Sequence, residues 1–133
     1  MKCEVGSMSK AKVIKTFGDL NVYQLAHALA MKIFEATKTF PKEEKYSLVD
    51  QIRRSSRSSA ANIAEGWGKR RYPELFKRHL IDAIGSCEET KCWLLFSLDC
   101  GYLIQDPYRK LLAGYEELGA KLFKLHDHWR SFS

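Results

Sequence analysis

The sequence predicts an all-α protein built as an antiparallel, up-down-up-down four-helix bundle. Three observations carry this expectation. Only three prolines and eight glycines interrupt the 133 residues, which leaves long segments free to be helical. Apolar residues recur at three- and four-residue spacing in four separate stretches, the signature of a helix with one buried face. Short connections join those stretches, so sequential helices pack most simply as neighbours. One domain is expected at this length, with a core large enough to need neither metal nor disulfide.

The first 16 residues hold four lysines against one glutamate and no apolar period, so 1–16 read as a basic, poorly ordered tail ahead of a single domain over 17–133. Asp19 is the expected N-cap of helix 1, which carries Val22, Leu25, Ala26, Leu29, Ile33 and Phe34 inward. It should end before Pro41, because proline disfavours the α conformation in the residue ahead of it. Pro41 then suits the first position of helix 2, with Glu43 and Glu44 opposing the positive dipole end. Its inward stripe is Val49, Ile52, Ser56, Ala60, Ile63 and Trp67. The small residues of 55–61 admit a close neighbour, and Gly66 and Gly68 provide a permissive backbone for the helix end.

Pro73 opens helix 3 in the same way. Phe76, Leu80, Ala83, Ile84, Cys87, Leu94, Leu95 and Leu98 form its apolar set, and Gly101 closes it. Asp106-Pro107 reads as an N-cap followed by a first-turn proline. Leu111, Leu112, Tyr115, Leu118, Leu122, Leu125 and Trp129 then repeat at helical spacing to the C-terminus. No apolar run approaches the ~18 residues of a membrane span and no signal-peptide core is present, so a cytoplasmic protein is expected. Cys3, Cys87, Cys92 and Cys100 show no C-x-x-C pair and are expected to be reduced, mostly buried thiols.

Charge is concentrated rather than spread. The net charge is +6, and residues 53–71 hold six basic side chains against Glu65 alone. Arg53, Arg54 and Arg57 fall within little more than one turn, Lys69, Arg70 and Arg71 occupy the next connection, and Lys77 and Arg78 follow on helix 3. Arginine forks match phosphate oxygens, and Trp67 and Tyr72 offer faces on which a base can stack. These eight basic residues are the candidate nucleic-acid surface. Neutralising six phosphates of a single strand from Arg53, Arg54, Arg57 and 69–71 gives a log K against log[salt] slope of about −4. The competing expectation is a structural or protein-interaction bundle whose arginines make subunit contacts.

Enzymatic chemistry finds no support in the pattern. None of the ten glutamates has a histidine three residues later, as a bundle di-metal site requires. His126 and His128 point about 200° apart on a helix. Ser55–Ser59 lack a histidine partner, and Cys100 faces a helix C-terminal dipole that raises a thiol pKa. Gly66-x-Gly68 is not completed to a phosphate loop or dinucleotide fingerprint. A non-enzymatic protein with no metal and no cofactor is the expectation. Asn62 and Glu65 interrupt an apolar stretch and need partners, for which Arg53, Arg54 and Arg57 are the nearest donors in the sequence.

Phe17-Gly18-Asp19-Leu20, Phe40-Pro41-Lys42-Glu43-Glu44, Gln51-Ile52-Arg53-Arg54, Ser59-Ala60-Ala61-Asn62-Ile63-Ala64-Glu65-Gly66 and Gly85-Ser86 together resemble the bacterial 23S rRNA intervening-sequence proteins. The likeness runs from about residue 17 to 125, with Asn62, Glu65, Gly66, Gly85 and Ser86 as motif positions; Ser59-Ala60 stands where the family has Ile-Pro. The resemblance implies a four-helix protomer in a ring-like homopentamer. It is similar also to the accessory protein of diversity-generating retroelements, which works with a reverse transcriptase and RNA or DNA. It implies no catalytic residue.

Overall fold

A computed structural model describes residues 13–129 and contains four long helices and no strand among them. They are α1 (Asn21–Thr37), α2 (Leu48–Gly68), α3 (Pro73–Asp99) and α4 (Gln105–His128), with single 3-10 turns at Phe17–Asp19 and Lys42–Glu44. Most of the tail expected at 1–16 lies outside the described residues. Of the rest, Ile14 packs against the core.

Three helix starts differ from expectation, each for a local reason. Asp19 does not cap α1; its carboxylate accepts from the amides of Lys15 and Thr16, which precede it, and so fastens a 3-10 turn. Pro41 precedes the second 3-10 turn, and α2 begins only at Leu48. There Glu44 takes the capping role, accepting from the Leu48 amide at 3.3 Å and the Ser47 hydroxyl at 2.6 Å. Asp106 is not the N-cap of α4 but sits one residue inside its start, bridging to Lys110 four residues on. The third helix starts at Pro73 as expected, and Gly101, at φ 82°, supplies the left-handed residue that ends it.

The whole expected stripe of α2 is buried, with Ile52 and Ile63 fully enclosed. On α3, Phe76, Leu80, Ala83, Cys87 and Leu94 are buried, whereas Leu95 is exposed. The cysteines divide as well. Cys87 is buried and desolvation pushes its thiol up to about 12, while Cys92 and Cys100 are exposed; Cys3 lies outside the described residues. Wholly buried Tyr115 has Ser56 and Cys87 as polar neighbours, and its phenol is pushed above its ordinary pKa chiefly by desolvation.

The serine run packs α2 against α3. Ser55 meets Thr90 at 2.8 Å and Ser58 meets Ser86 at 2.9 Å, so the residue numbers fall on one helix as they rise on the other. Ser59 donates to the Ser56 carbonyl at 2.7 Å inside an uninterrupted helix. Small hydroxyl side chains thus satisfy themselves locally and let the two backbones come close.

A separate fastening ties the α3–α4 connection to the start of α2, where the Tyr102 hydroxyl donates to Glu44 at 2.8 Å. Hydrogen bonds from Ser47 and then Tyr102 hold the Glu44 carboxyl below its ordinary value of 4.5, and the bond to Glu44 holds the Tyr102 phenol up at about 12. A depressed carboxyl contributes stability that is present above its unfolded pKa and disappears as pH falls through the folded one. The stability gap between wild type and Glu44→Gln is therefore expected to narrow between pH 6 and pH 3 in urea titrations. A gap independent of pH would contradict the assignment.

Candidate nucleic-acid interface

Lys69 begins the connection between α2 and α3, at the end of the bundle where Trp129 of α4 also arrives. Trp129 packs on Phe76 at 4.4 Å and on Trp67 at 6.5 Å between ring centroids, bringing the end of α2, the start of α3 and the end of α4 together. Just inside this end, Asn62 donates to the Ser58 carbonyl at 3.1 Å, and its oxygen meets His79 Nδ1 at 3.0 Å. The other ring nitrogen of His79 lies 3.1 Å from Lys69 Nζ, and Lys69 also bridges to Glu65 at 3.3 Å. The partners of Asn62 and Glu65 are therefore Ser58, His79 and Lys69, not the arginines expected from sequence. Gly66 belongs to the same seam. It lies inside α2 rather than ending it, and a Cβ there would come within 2.8 Å of His79 Cβ.

The eight basic residues do not form one surface. Arg53 turns inward, donating from Nε to Thr37 Oγ1 at 2.9 Å and from Nη2 to the Phe34 carbonyl at 3.3 Å, with its guanidinium over the Phe34 ring. It thereby caps the C-terminal end of α1, where a cation is favoured. Arg54 and Arg57 are exposed on the outer side of α2. From Arg57 to Lys69 the helix rises about 18 Å, which makes this pair a patch apart. Arg70 folds back on Trp67, donating to its carbonyl at 2.9 Å and lying 4.0 Å from the ring centroid.

Arg71 and Arg78 are exposed, and Lys77 is half-buried beside a groove. Of the two aromatic residues expected to stack, Trp67 is only 8% exposed and spent in the core, while Tyr72 is 60% exposed between the basic groups.

The groove is what sequence reasoning missed. Glu74, Leu75, Lys77, Arg78 and Ile81 of α3 and His126 of α4 line a shallow groove that opens broadly to solvent. Leu75 and Ile81 are exposed at 44% and 54%, so its lining combines aliphatic surface with Lys77 and Arg78. His126 lies 47 residues beyond His79 in the chain, and only tertiary packing brings it here. Among the described residues no three His, Cys, Asp or Glu side chains are placed to hold a metal ion, and no helix is long and apolar enough to cross a membrane.

The sequence profile of the 23S rRNA-intervening sequence proteins matches residues 18–124. The chain belongs to this family. Among solved structures, it is similar to a protein of unknown function from the S23 ribosomal protein family of Bacteroides thetaiotaomicron, with a TM-score of 0.72 at 24% identity. The match covers 79% of this chain and 97% of that one. No curated protein sequence matches. In this intervening-sequence protein the motif positions divide by role: Asn62, Gly66 and Ser86 build the α2–α3 seam, and Glu65 holds Lys69. Gly85 is exposed, with nothing within 4 Å of where a Cβ would stand.

Proposed function

We propose that this chain is a non-enzymatic, cytoplasmic nucleic-acid-binding accessory protein that works as a homo-oligomer. One observation carries the reading: exposed Lys69, Arg71 and Arg78, half-buried Lys77 and exposed Tyr72 all fall between residues 69 and 78, at one end of the bundle. Four cations beside an exposed aromatic face suit a phosphate backbone with unpaired bases, and the arrangement needs no cofactor. Arg54 and Arg57 offer a second phosphate patch on the flank of α2. In a retroelement setting the protein partner is a reverse transcriptase.

The assembly we infer is a ring of five antiparallel, up-down-up-down protomers joined through α3 and α4. Leu95 and Phe96 near the end of α3 and Phe123 on α4 are about half exposed, and Gly85 and Gly119 face open space within these long helices. An exposed mid-helix glycine costs about 1 kcal/mol relative to alanine, which a closely approaching partner offsets. This same face supports the second reading, a structural bundle without nucleic acid, as do the inward-turned Arg53 and Arg70.

Fluorescence anisotropy with a labelled oligonucleotide, paired with sedimentation velocity, tests the proposal. Replacing Lys69, Arg71, Lys77 and Arg78 together by Ala is expected to weaken binding at least about 100-fold while the sedimenting species stays a multimer of the 15.4 kDa chain. Wild type that binds no oligonucleotide supports the structural reading instead. A wild-type monomer at micromolar concentration contradicts the ring.

A further inference from the structure

His79 and Lys69 meet beside Glu65 where α2 gives way to its connection with α3, and the hydrogen bonds there fix which atom carries each proton. Asn62 Nδ2 lies 3.1 Å from the Ser58 carbonyl, an acceptor only, so the amide oxygen is the atom turned to His79. That oxygen accepts as well, and His79 Nδ1 therefore carries a proton. In the neutral ring Nε2 then keeps its lone pair, which accepts from the Lys69 ammonium at 3.1 Å. Lys69 gives a second hydrogen to Glu65 Oε2 at 3.3 Å. The same carboxylate oxygen stands 4.0 Å from His79 Nε2.

A second proton on the ring is incompatible with this arrangement, because it occupies Nε2 and points at an ammonium that has no lone pair to accept it. The imidazole cannot retreat: its side chain is 15% exposed, and its Cβ lies 2.8 Å from where a Cβ at Gly66 would stand. Lys69 and Glu65 are 44% and 58% exposed and can swing aside. They are the charged groups that α2 turns to the ring. On α3 the adjoining turns hold Leu75, Phe76, Asp82 and Ala83, of which Asp82 alone is charged and is exposed. Among the described residues α4 makes neither an ion pair nor a hydrogen bond to the ring.

We propose that His79 is a proton-operated latch on Lys69: the neutral ring holds the ammonium beside Glu65, and the doubly protonated ring takes Glu65 for itself and frees Lys69 to meet an external phosphate. The exchange stands on this geometry, while its effect on affinity rests on the nucleic-acid reading above. By linkage, a phosphate that draws Lys69 away favours proton uptake at His79, and proton uptake favours phosphate binding.

Two measurements test the latch. Long-range 1H–15N spectra of the free protein at about pH 8 are expected to show His79 protonated at Nδ1 and bare at Nε2. The opposite tautomer overturns the latch. The second measurement is the affinity for a short oligouridylate, whose bases do not titrate in this range, carrying a pH-insensitive dye. Between about pH 8 and about pH 5.5 the gain in affinity should be about fivefold larger in wild type than in His79→Gln. Lys69→Gln, at an exposed connection, should lose the same increment, and it decides the matter if His79→Gln does not fold. Replacing His126 and His128 of α4 by Gln should leave the increment in place. An increment that survives His79→Gln or Lys69→Gln, or that is lost with the α4 histidines instead, overturns the coupling while nucleic-acid binding itself still stands. If no oligonucleotide binds, the phosphate role of Lys69 falls with the nucleic-acid reading, and the tautomer alone decides the latch.

Discussion

Gly66→Ala is expected to destabilise the protein by about 2 kcal/mol although it replaces a poor helix former with the best one. Helix propensity favours the change by about 1 kcal/mol. Against it stands a methyl group 2.8 Å from His79 Cβ and 3.2 Å from Phe76 Cδ1. His79 Cβ is fixed to the α3 backbone, so relief requires the two helices to separate. Overpacking of that kind costs about 1–3 kcal/mol, and separation also loosens the Asn62–His79 bond. Gly68, two residues on, has nothing within 4 Å, and Gly68→Ala is expected to be neutral or to stabilise by up to about 1 kcal/mol. Chemical denaturation of the pair should show a loss of stability at Gly66→Ala that Gly68→Ala does not share. Equal changes would contradict the close approach of α2 and α3.

Arg53→Ala and Arg71→Ala should separate stability from binding. The first removes two hydrogen bonds to the end of α1 and leaves buried Thr37 without its donor, at a cost of about 2 kcal/mol or about 8 °C in Tm. Its effect on nucleic-acid affinity should be small once the protein is folded. Arg71 is exposed, so its removal should leave Tm within about 2 °C while weakening binding several-fold. Arg53→Lys should not rescue, because an ammonium cannot reproduce the guanidinium fork. If Arg53→Ala weakens binding at unchanged Tm, this arginine faces the ligand and not α1.

The helices were legible because each writes its own period. The α2 stripe from Val49 to Trp67, and Leu111, Tyr115, Leu118 and Leu122 on α4, bury as the spacing predicts, while Leu112 is half-buried. Helix starts were less so: Asp19, Pro41 and Asp106 are good start residues locally, but the first two sit in 3-10 turns or ahead of one and the third lies one residue inside α4. The basic surface was half legible. Arg53 and Arg57 share a face by spacing, yet Arg53 is drawn to the α1 end by carbonyls that no local pattern reveals. By sequence Trp67 suits both the core stripe and a stacking face; burial and stacking exclude one another, and the core prevails. His79 had a usable signal. Asn62 lies seven residues before Lys69 and His79 seven after Tyr72, so a hairpin of helices about that connection pairs them. His126 had none, because the α3–α4 groove depends on how the end of α4 lies against the start of α3.

Neutralisation of phosphates by the basic end of the bundle is measured most directly by the salt dependence of binding to a short single strand that spans one protomer. With Arg53 and Arg70 turned inward and Arg54 and Arg57 on a separate patch, four cations remain at this end, Lys69, Arg71, Lys77 and Arg78. At about 0.7 per contact, log K against log[salt] should fall with a slope of about −3, shallower than the −4 expected from six contacts on sequence alone. Each alanine replacement within the set should flatten it by about 0.7. A slope near zero, or one unchanged by all four replacements, would contradict the assignment of this surface.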